Sequence, residues 1–130
     1  MRFPKTKFGG LGLRAEPLLA PDAGAVVIAD GGRRDPVEIV HEMDSDYVAY
    51  EADQPVSQGG ALGICSMIRD SGIRGPWFIR DFGMALYNPT WRDDIELPAG
   101  ETWTLTLLVA AYDEPLTEQR VRRWRDLQIG

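Results

Sequence analysis

Short stretches of alternating apolar and polar residues, separated by turn residues, make up most of this chain. Such a pattern predicts strands, because successive side chains of an extended chain point to opposite faces. Predicted strands cover residues 7–16, 25–29, 37–40, 47–51, 61–69 and 102–109. Turn-rich or exposed segments fall at residues 17–24, 30–35, 54–60 and 70–75.

Two of these strands predict how the sheet is buried. Residues 61–69 carry apolar side chains on both faces, which is typical of a central strand covered on both sides. One face holds Leu62, Ile64 and Ile68, and the other holds Ala61, Cys65 and Met67. In residues 102–109 the face predicted to point inward holds Trp103, Leu105, Leu107 and Val109. The alternating threonines are expected to point to solvent.

One helix is predicted, from Thr117 to about residue 128. Thr117 suits the N-cap, and Leu116 and Val121 occupy the two positions of a hydrophobic staple. Val121, Trp124 and Leu127 form an apolar stripe, so the helix is expected to dock on the sheet. Together the elements predict a mainly β fold: an antiparallel β-sandwich with one C-terminal α-helix, in a single domain over residues 1–130.

The densest aromatic segment covers residues 75–91. Pro76 and Pro89 bracket a predicted strand whose even positions share one face. That face holds Phe78, Arg80, Phe82, Met84 and Leu86. A guanidinium on an apolar face needs a partner, so either a bulge near Gly83 changes the register or Arg80 reaches into a polar pocket. A structural ion pair at a bend of the strand is the competing interpretation.

The composition disfavours a nucleic-acid-binding, membrane-spanning or disulfide-bonded protein. A formal net charge of -6 disfavours nucleic acid as a partner, because phosphate binding needs a concentrated basic surface. No stretch approaches the roughly 20 apolar residues of a membrane span, and no apolar signal-peptide core follows the basic N-terminal residues. Cys65 is the only cysteine, so no intrachain disulfide is expected and the thiol is expected to be buried. These features favour a cytoplasmic protein with no membrane partner.

No metal or cofactor is predicted. His41 is the only histidine, and the acidic residues that follow it, Glu42, Asp44 and Asp46, match no recognised ligand spacing. We therefore expect a polar turn around His41.

Four blocks of the sequence form a recognisable series: residues 7–14 (KFGGLGLR), 60–64 (GALGI), 77–89 (WFIRDFGMALYNP) and 97–105 (LPAGETWTL). The series resembles the PmoA-like family, named after methane oxygenase and also designated DUF6807. The third block is the most specific, because it is similar to the family signature Trp-x-x-Arg-Asp-Tyr-Gly…Asn-Pro with Phe82 in the tyrosine place. A departure is the segment at residues 70–74 (DSGIR), which stands where the family has a His-Pro-x-Asn-like turn.

The resemblance implies a fold, an assembly and a broad class of function. It covers what looks like the C-terminal half of a larger family domain, which resembles the galactose mutarotase supersandwich. Half of such a sandwich leaves strand edges unpaired, which predicts a homo-oligomer. By analogy with mutarotase-like folds, the resemblance implies a carbohydrate-related binding or enzymatic role.

Two functional hypotheses follow. The first is a site for a small, carbohydrate-related molecule, with candidate binding residues Arg14, Trp77, Arg80, Asp81, Tyr87 and Asn88. Their donors, acceptors and aromatic faces suit a polyhydroxylated ligand. For catalysis, Asp81 with His41 or Glu51 are the candidate general acid and base. The alternative is a non-catalytic, oligomeric interaction module derived from a truncated family domain.

A shared site for Arg80 and Asn88 requires a bend in the chain. Eight residues of straight strand would separate their α-carbons by roughly 26 Å, which is too far for one small ligand. Gly83 is the expected place for the bend.

Overall fold

The described part of this computed structural model is residues 2, 3, 5, 11–70, 73, 75–90 and 94–127, and it contains ten strands and two α-helices. The strands are β1 Arg2–Phe3, β2 Leu11–Arg14, β3 Val26–Ala29, β4 Arg33–Asp35, β5 Tyr47–Asp53, β6 Ala61–Asp70, β7 Trp77–Ile79, β8 Met84–Tyr87, β9 Ile95–Glu96 and β10 Thr106–Tyr112. The helices are α1 Val37–Val40 and α2 Glu118–Arg125.

All the paired strands run antiparallel. Five strands form one sheet in the order β10-β6-β5-β3-β4, and three form another in the order β2-β8-β7. The short strands β1 and β9 pair with each other. The predicted mainly β, antiparallel architecture with a C-terminal helix is confirmed.

Two apolar cores lie on opposite faces of the five-stranded sheet. The first core fills the space between the two larger sheets: Val27, Val48 and Tyr50 come from one sheet, and Trp77, Ile79, Ala85 and Tyr87 come from the other. The second core lies under α2, and its buried members include Ile28, Ala49, Met67, Leu116 and Val121. The molecule is thus a sandwich of two sheets with a helix on the outer face of the larger one.

Strand β6 is central and covered on both faces, as its sequence predicts. Ile64 and Ile68 pack in the first core, whereas Cys65 and Met67 pack in the second. Cys65 is fully buried, and burial raises the pKa of its thiol. The prediction of a buried thiol is therefore confirmed.

Two local predictions are wrong. Residues 33–35, expected to form an exposed loop, are the edge strand β4, which pairs with β3. Residues 37–40, expected to form a strand, are the single helical turn α1. Pro36 supplies a φ of -61° at its N-cap, and the turn brings Val37 and Val40 against the first core. The two-residue spacing of Val37 and Ile39 fits a strand, whereas the three-residue spacing of Val37 and Val40 fits a helical turn, and the structure shows the helical turn.

The C-terminal elements agree with the sequence in part. Thr117 caps α2 by accepting a hydrogen bond from the amide of Arg120 at 3.3 Å, and both staple residues are buried. Leu127, placed on the apolar stripe, is 50% exposed because α2 ends at Arg125.

Strand β10 starts only at Thr106, so Trp103 lies before it and is half-buried. Val109 was predicted to point inward but is 58% exposed, because the three-stranded sheet does not cover the face of β10 that carries it.

Candidate functional site

The aromatic segment predicted as one strand is a hairpin, so that prediction is wrong. Strands β7 and β8 pair with each other and are joined by a turn at residues 80–83. The amide of Arg80 donates to Met84 O, and the amide of Gly83 donates to Arg80 O, both at 3.0 Å. Gly83 has a φ of +98°, a left-handed conformation that glycine adopts without steric cost. The predicted bend at Gly83 is confirmed, and it is sharper than expected.

The hairpin also corrects the predicted faces. The odd-numbered residues Trp77, Ile79, Ala85 and Tyr87 point into the first core. Phe78 packs opposite Leu86 on the other face, and Phe82 lies in the turn, 38% exposed. Arg80 follows the last residue of β7, which explains why a guanidinium could occur in an otherwise apolar segment.

Three of the predicted binding residues are buried, with their polar groups bonded inside the fold. Trp77 donates from Nε1 to Ser45 O at 2.8 Å, and Tyr87 donates its hydroxyl to Ile73 O at 2.8 Å. Asn88 accepts at Oδ1 from the amide and hydroxyl of Thr90 at 3.2 and 3.0 Å. All three side chains are at most 1% exposed, so their contacts support the hairpin and its surroundings.

The turn at residues 80–83 is held in place from three directions. The hydroxyl of Tyr50, on β5, donates to Met84 O at 2.5 Å, and burial raises the pKa of this phenol, which keeps it protonated as a donor. The amide of Asp22 donates to Asp81 O, and the amide of Ala15 donates to Gly83 O, both at 2.8 Å. A turn fixed by the backbone of two other segments can position side chains precisely.

A cavity of about 350 Å³ lies beside this turn, and we call it the His41 pocket. Its lining residues are Val37, Glu38, His41, Arg80 and Asp81. Three of the predicted candidates, His41, Arg80 and Asp81, therefore meet at one place although about 40 residues separate His41 from the other two. The pocket combines two carboxylates, one guanidinium and one imidazole.

His41 is oriented by the backbone of β7. Its Nδ1 accepts a hydrogen bond from the amide of Ile79 at 3.1 Å, so in the neutral ring the proton resides on Nε2. Its ring also meets the edge of Phe78, with 5.1 Å between ring centroids. Nε2 lies 3.7 Å from Glu42 Oε1. Because Nδ1 is occupied by the Ile79 amide, action of His41 as a base would require a different tautomer from the one this geometry selects.

Arg80 is supported by the same phenylalanine. Its guanidinium carbon lies 4.3 Å from the ring centroid of Phe78, which is a favourable cation–π geometry. Within the described residues, Arg80 forms no ion pair with a carboxylate. The stacked guanidinium keeps its N–H groups available on the side of the pocket.

A second cavity, of about 580 Å³, lies on the other side of the turn, and we call it the Phe82 pocket. Its lining residues are Arg14, Ala15, Glu16, Pro17, Ala20, Asp22 and Phe82. Arg14, another predicted candidate, lies with its guanidinium carbon 5.3 Å from the ring centroid of Phe82. The structure therefore places the exposed predicted residues on both sides of one turn.

The remaining catalytic candidate, Glu51, is buried, and its carboxylate is held by groups of the fold. It is 5% exposed, with Oε1 accepting from the amide of Leu116 at 2.9 Å. Its Oε2 lies 2.8 Å from Nη1 of Arg34 on the edge strand. Both oxygens are bonded within the fold, and Glu51 does not line the His41 pocket.

Sequence reasoning missed three acidic residues at these cavities. Glu38 was assigned to a strand, and only the helical turn α1 brings it beside His41. The signal that could have found it is Pro36, since proline is frequent at helix starts. Glu16 ends the predicted strand at residues 7–16, and Asp22 belongs to the predicted turn-rich connection. Nothing in the local sequence marks either as a neighbour of Phe82.

The described chain contains no group of three or more His, Cys, Asp and Glu side chains that could hold a metal ion. No helix in it has both the length and the apolar composition needed to cross a bilayer.

Comparison with known proteins identifies the family. No curated protein and no solved structure matches the chain. Residues 1–125 match a family model described as a family of unknown function, DUF6807. Because the match covers nearly the whole chain, the protein belongs to the DUF6807 family.

Proposed function

We propose that this protein binds a small, carbohydrate-like molecule in the His41 pocket. The observation that carries the proposal is the meeting of Arg80, Asp81 and His41, with Glu38, in one cavity. Hydroxyl groups both donate and accept hydrogen bonds, so a polyhydroxylated ligand needs acceptors and donors on one wall. The two carboxylates supply the acceptors, and the guanidinium of Arg80 supplies the donors.

The charge of the pocket specifies the ligand further. Glu38 and Asp81 contribute two carboxylates against the single guanidinium of Arg80. A lining with this balance repels phosphate and carboxylate groups, because like charges in a cavity oppose binding. We therefore propose a neutral or amino sugar and expect phosphorylated sugars to bind more weakly. The proposal concerns binding in the cytoplasm, and it assigns no catalytic step.

The test is a titration of monosaccharides, their amino derivatives and their 6-phosphates, followed by amide NMR shifts. Arg80→Ala and Asp81→Asn are expected to weaken the binding of the best neutral sugar by at least about tenfold. Arg123→Ala is the matched control, because Arg123 is exposed on α2, far from the pocket in the fold. Absence of sugar binding, or equal binding by Arg80→Ala and the wild type, would refute the proposal.

The stability of Arg80→Ala shows whether Arg80 serves ligand binding or the stability of the fold. Arg80 stacks on Phe78 and forms no ion pair within the described residues, so Arg80→Ala should lower the free energy of unfolding by only about 0.5–1 kcal/mol. A loss of several kcal/mol in urea would indicate that Arg80 mainly stabilises the fold.

A second candidate function, an oligomeric interaction module, is favoured by strand β10. This strand forms one edge of the five-stranded sheet, and its seven residues, TLLVAAY, include no charge and no proline. The opposite edge, β4, carries Arg33, Arg34 and Asp35. Charged residues protect an edge from pairing, so β10 is the edge suited to a second copy. We propose antiparallel pairing of two β10 strands about a two-fold axis at Val109.

Light scattering on Val109→Lys tests this pairing. Val109 is the middle residue of β10, so two lysines would face each other across the axis and repel. We expect a dimeric wild type and a monomeric variant at micromolar concentration. Val56→Lys is the control, since Val56 is 91% exposed outside the strands. A monomeric wild type would exclude the module.

A further inference from the structure

Two cavities flank the turn at residues 80–83, and a third cavity adjoins them. Besides the His41 and Phe82 pockets, an apolar cleft of about 270 Å³ lies between β3 and the segment around Pro36. Its apolar lining residues are Pro21, Ala25, Val26, Val27, Pro36 and Val37. Val37 also lines the His41 pocket, so these two cavities share a wall.

The cleft also adjoins the Phe82 pocket. Pro21, in the cleft, lies in the chain between Ala20 and Asp22, which both line the Phe82 pocket. The two polar pockets in turn meet at the hairpin turn, where Asp81 lines one and Phe82 the other. The hydrogen bond of 2.8 Å from the Asp22 amide to Asp81 O fixes the two walls against each other. Each of the three cavities thus adjoins the other two.

The three cavities differ in the share of apolar residues in their linings. Arg34 and Asp35 give the cleft a guanidinium and a carboxylate, but its other lining residues are apolar. The His41 and Phe82 pockets have a larger share of charged and polar residues. Phe82 adds a large apolar side chain that is 38% exposed, with the Arg14 guanidinium over its ring. Packing of the fold does not require an aromatic ring at an exposed turn.

We propose that the three cavities form one groove that binds a linear oligosaccharide, longer than a single sugar ring. The inference rests on the sugar-binding function proposed for the His41 pocket and extends it to the neighbouring cavities. A sugar ring has apolar C–H faces and a rim of hydroxyl groups. The faces pack on apolar walls and on an aromatic ring, and the hydroxyls bond to carboxylates and guanidinium groups. A chain of such rings matches a groove with polar and apolar sections, whereas one ring would leave two sections empty.

The experiment measures dissociation constants for malto-, cello- and chito-oligosaccharides from the monomer to the pentamer. For at least one series we expect the pentamer to bind about tenfold or more tightly than its monosaccharide. Phe82→Ala removes the ring from one pocket, and Val26→Trp fills the cleft at a position that is 39% exposed. In both variants we expect the gain with chain length to fall below about threefold. Val56→Trp, at a position 91% exposed outside the groove, controls for an added indole and should keep the full gain.

Each other outcome overturns a defined part of the inference. Equal affinity for all chain lengths would overturn the groove and leave the single-sugar proposal standing. A gain with chain length that survives in both variants would overturn the placement of the groove. Failure of every sugar to bind would overturn the groove together with the proposed function.

Discussion

At the scale of single residues, polar side chains of this protein fall into two groups that differ in where their partners lie. Glu51 and Asn88 are buried, and their polar atoms bond to backbone or side chains of the fold. Arg80 and Asp81 lie at the surface of a cavity. Buried polar groups must be satisfied internally, whereas cavity groups can exchange water for a ligand. Only the second group is suited to recognition.

Glu51→Ala tests the structural assignment. The substitution leaves the buried amide of Leu116 without its acceptor and releases Arg34, so we expect a loss of about 1–3 kcal/mol in the free energy of unfolding. Urea denaturation measures it, with Asp53→Ala as the control because Asp53 is an exposed acidic residue of the same strand. Equal losses in the two variants would reopen a functional role for Glu51.

The sequence could not separate these two groups. Trp77 and Tyr87 have the same donor chemistry as a binding residue, and what makes them structural is the position of Ser45 O and Ile73 O. Those acceptors belong to other segments, and their approach depends on the tertiary fold. Arg80 was singled out because a charge in an apolar segment is unusual in any fold, and the structure places it at the wall of a cavity.

At the scale of elements, the hairpin turn determines which side chains line the two pockets beside it. Gly83 identified the bend from sequence, because glycine in a strand pattern indicates a bulge or a turn. The length of the turn was not predictable, since Phe82 and Met84 continue the apolar pattern across it. Helix α1 was missed for a similar reason: four residues are too few for periodicity to distinguish a helical turn from a strand.

Gly83→Ala is expected to disturb the turn more than a glycine substitution elsewhere. A β-carbon at Gly83 would lie 3.3 Å from Ala15 Cβ and 3.4 Å from Ala20 Cβ, in addition to the strain of a positive φ. Gly24 is the matched control, because its φ is +100° and a β-carbon there would meet nothing within 4 Å.

We expect Gly24→Ala to cost about 1–2 kcal/mol from backbone strain alone, and Gly83→Ala to cost more. Thermal unfolding gives the stabilities, and NMR shifts of Arg80 and Asp81 amides report on the turn. Equal costs, with unchanged shifts in Gly83→Ala, would show that the surrounding backbone accommodates the added methyl group.

At the scale of the whole molecule, the alternating pattern was sufficient for the architecture. The two-faced apolar pattern of β6 required material on both sides, and the structure supplies a second sheet on one side and α2 on the other. The order of the strands in the sheets could not be predicted from the pattern. Hydrophobic alternation indicates which face of a strand is buried, but not which other strand it pairs with. The exposure of Val109 has the same origin: a three-stranded sheet cannot cover the whole face of a five-stranded one.

If the chain is a single domain, the core between the sheets and the core under α2 should unfold together. Ile79 is fully buried in the core between the sheets, and Val121 is 1% exposed in the core under α2. Ile79→Val and Val121→Ala should each cost about 0.5–3 kcal/mol. Because both cores share the five-stranded sheet, each variant should lower the hydrogen-exchange protection of the slowest amides in β7 and in α2 by the same amount.

Val56→Ala, at a side chain that is 91% exposed, is the control and should change neither. If each substitution lowers protection only in its own layer, the layers unfold separately. Such a result would mean that α2 can leave the sheet while the hairpin stays in place, and the chain would consist of two cooperative units joined at β5 and β6.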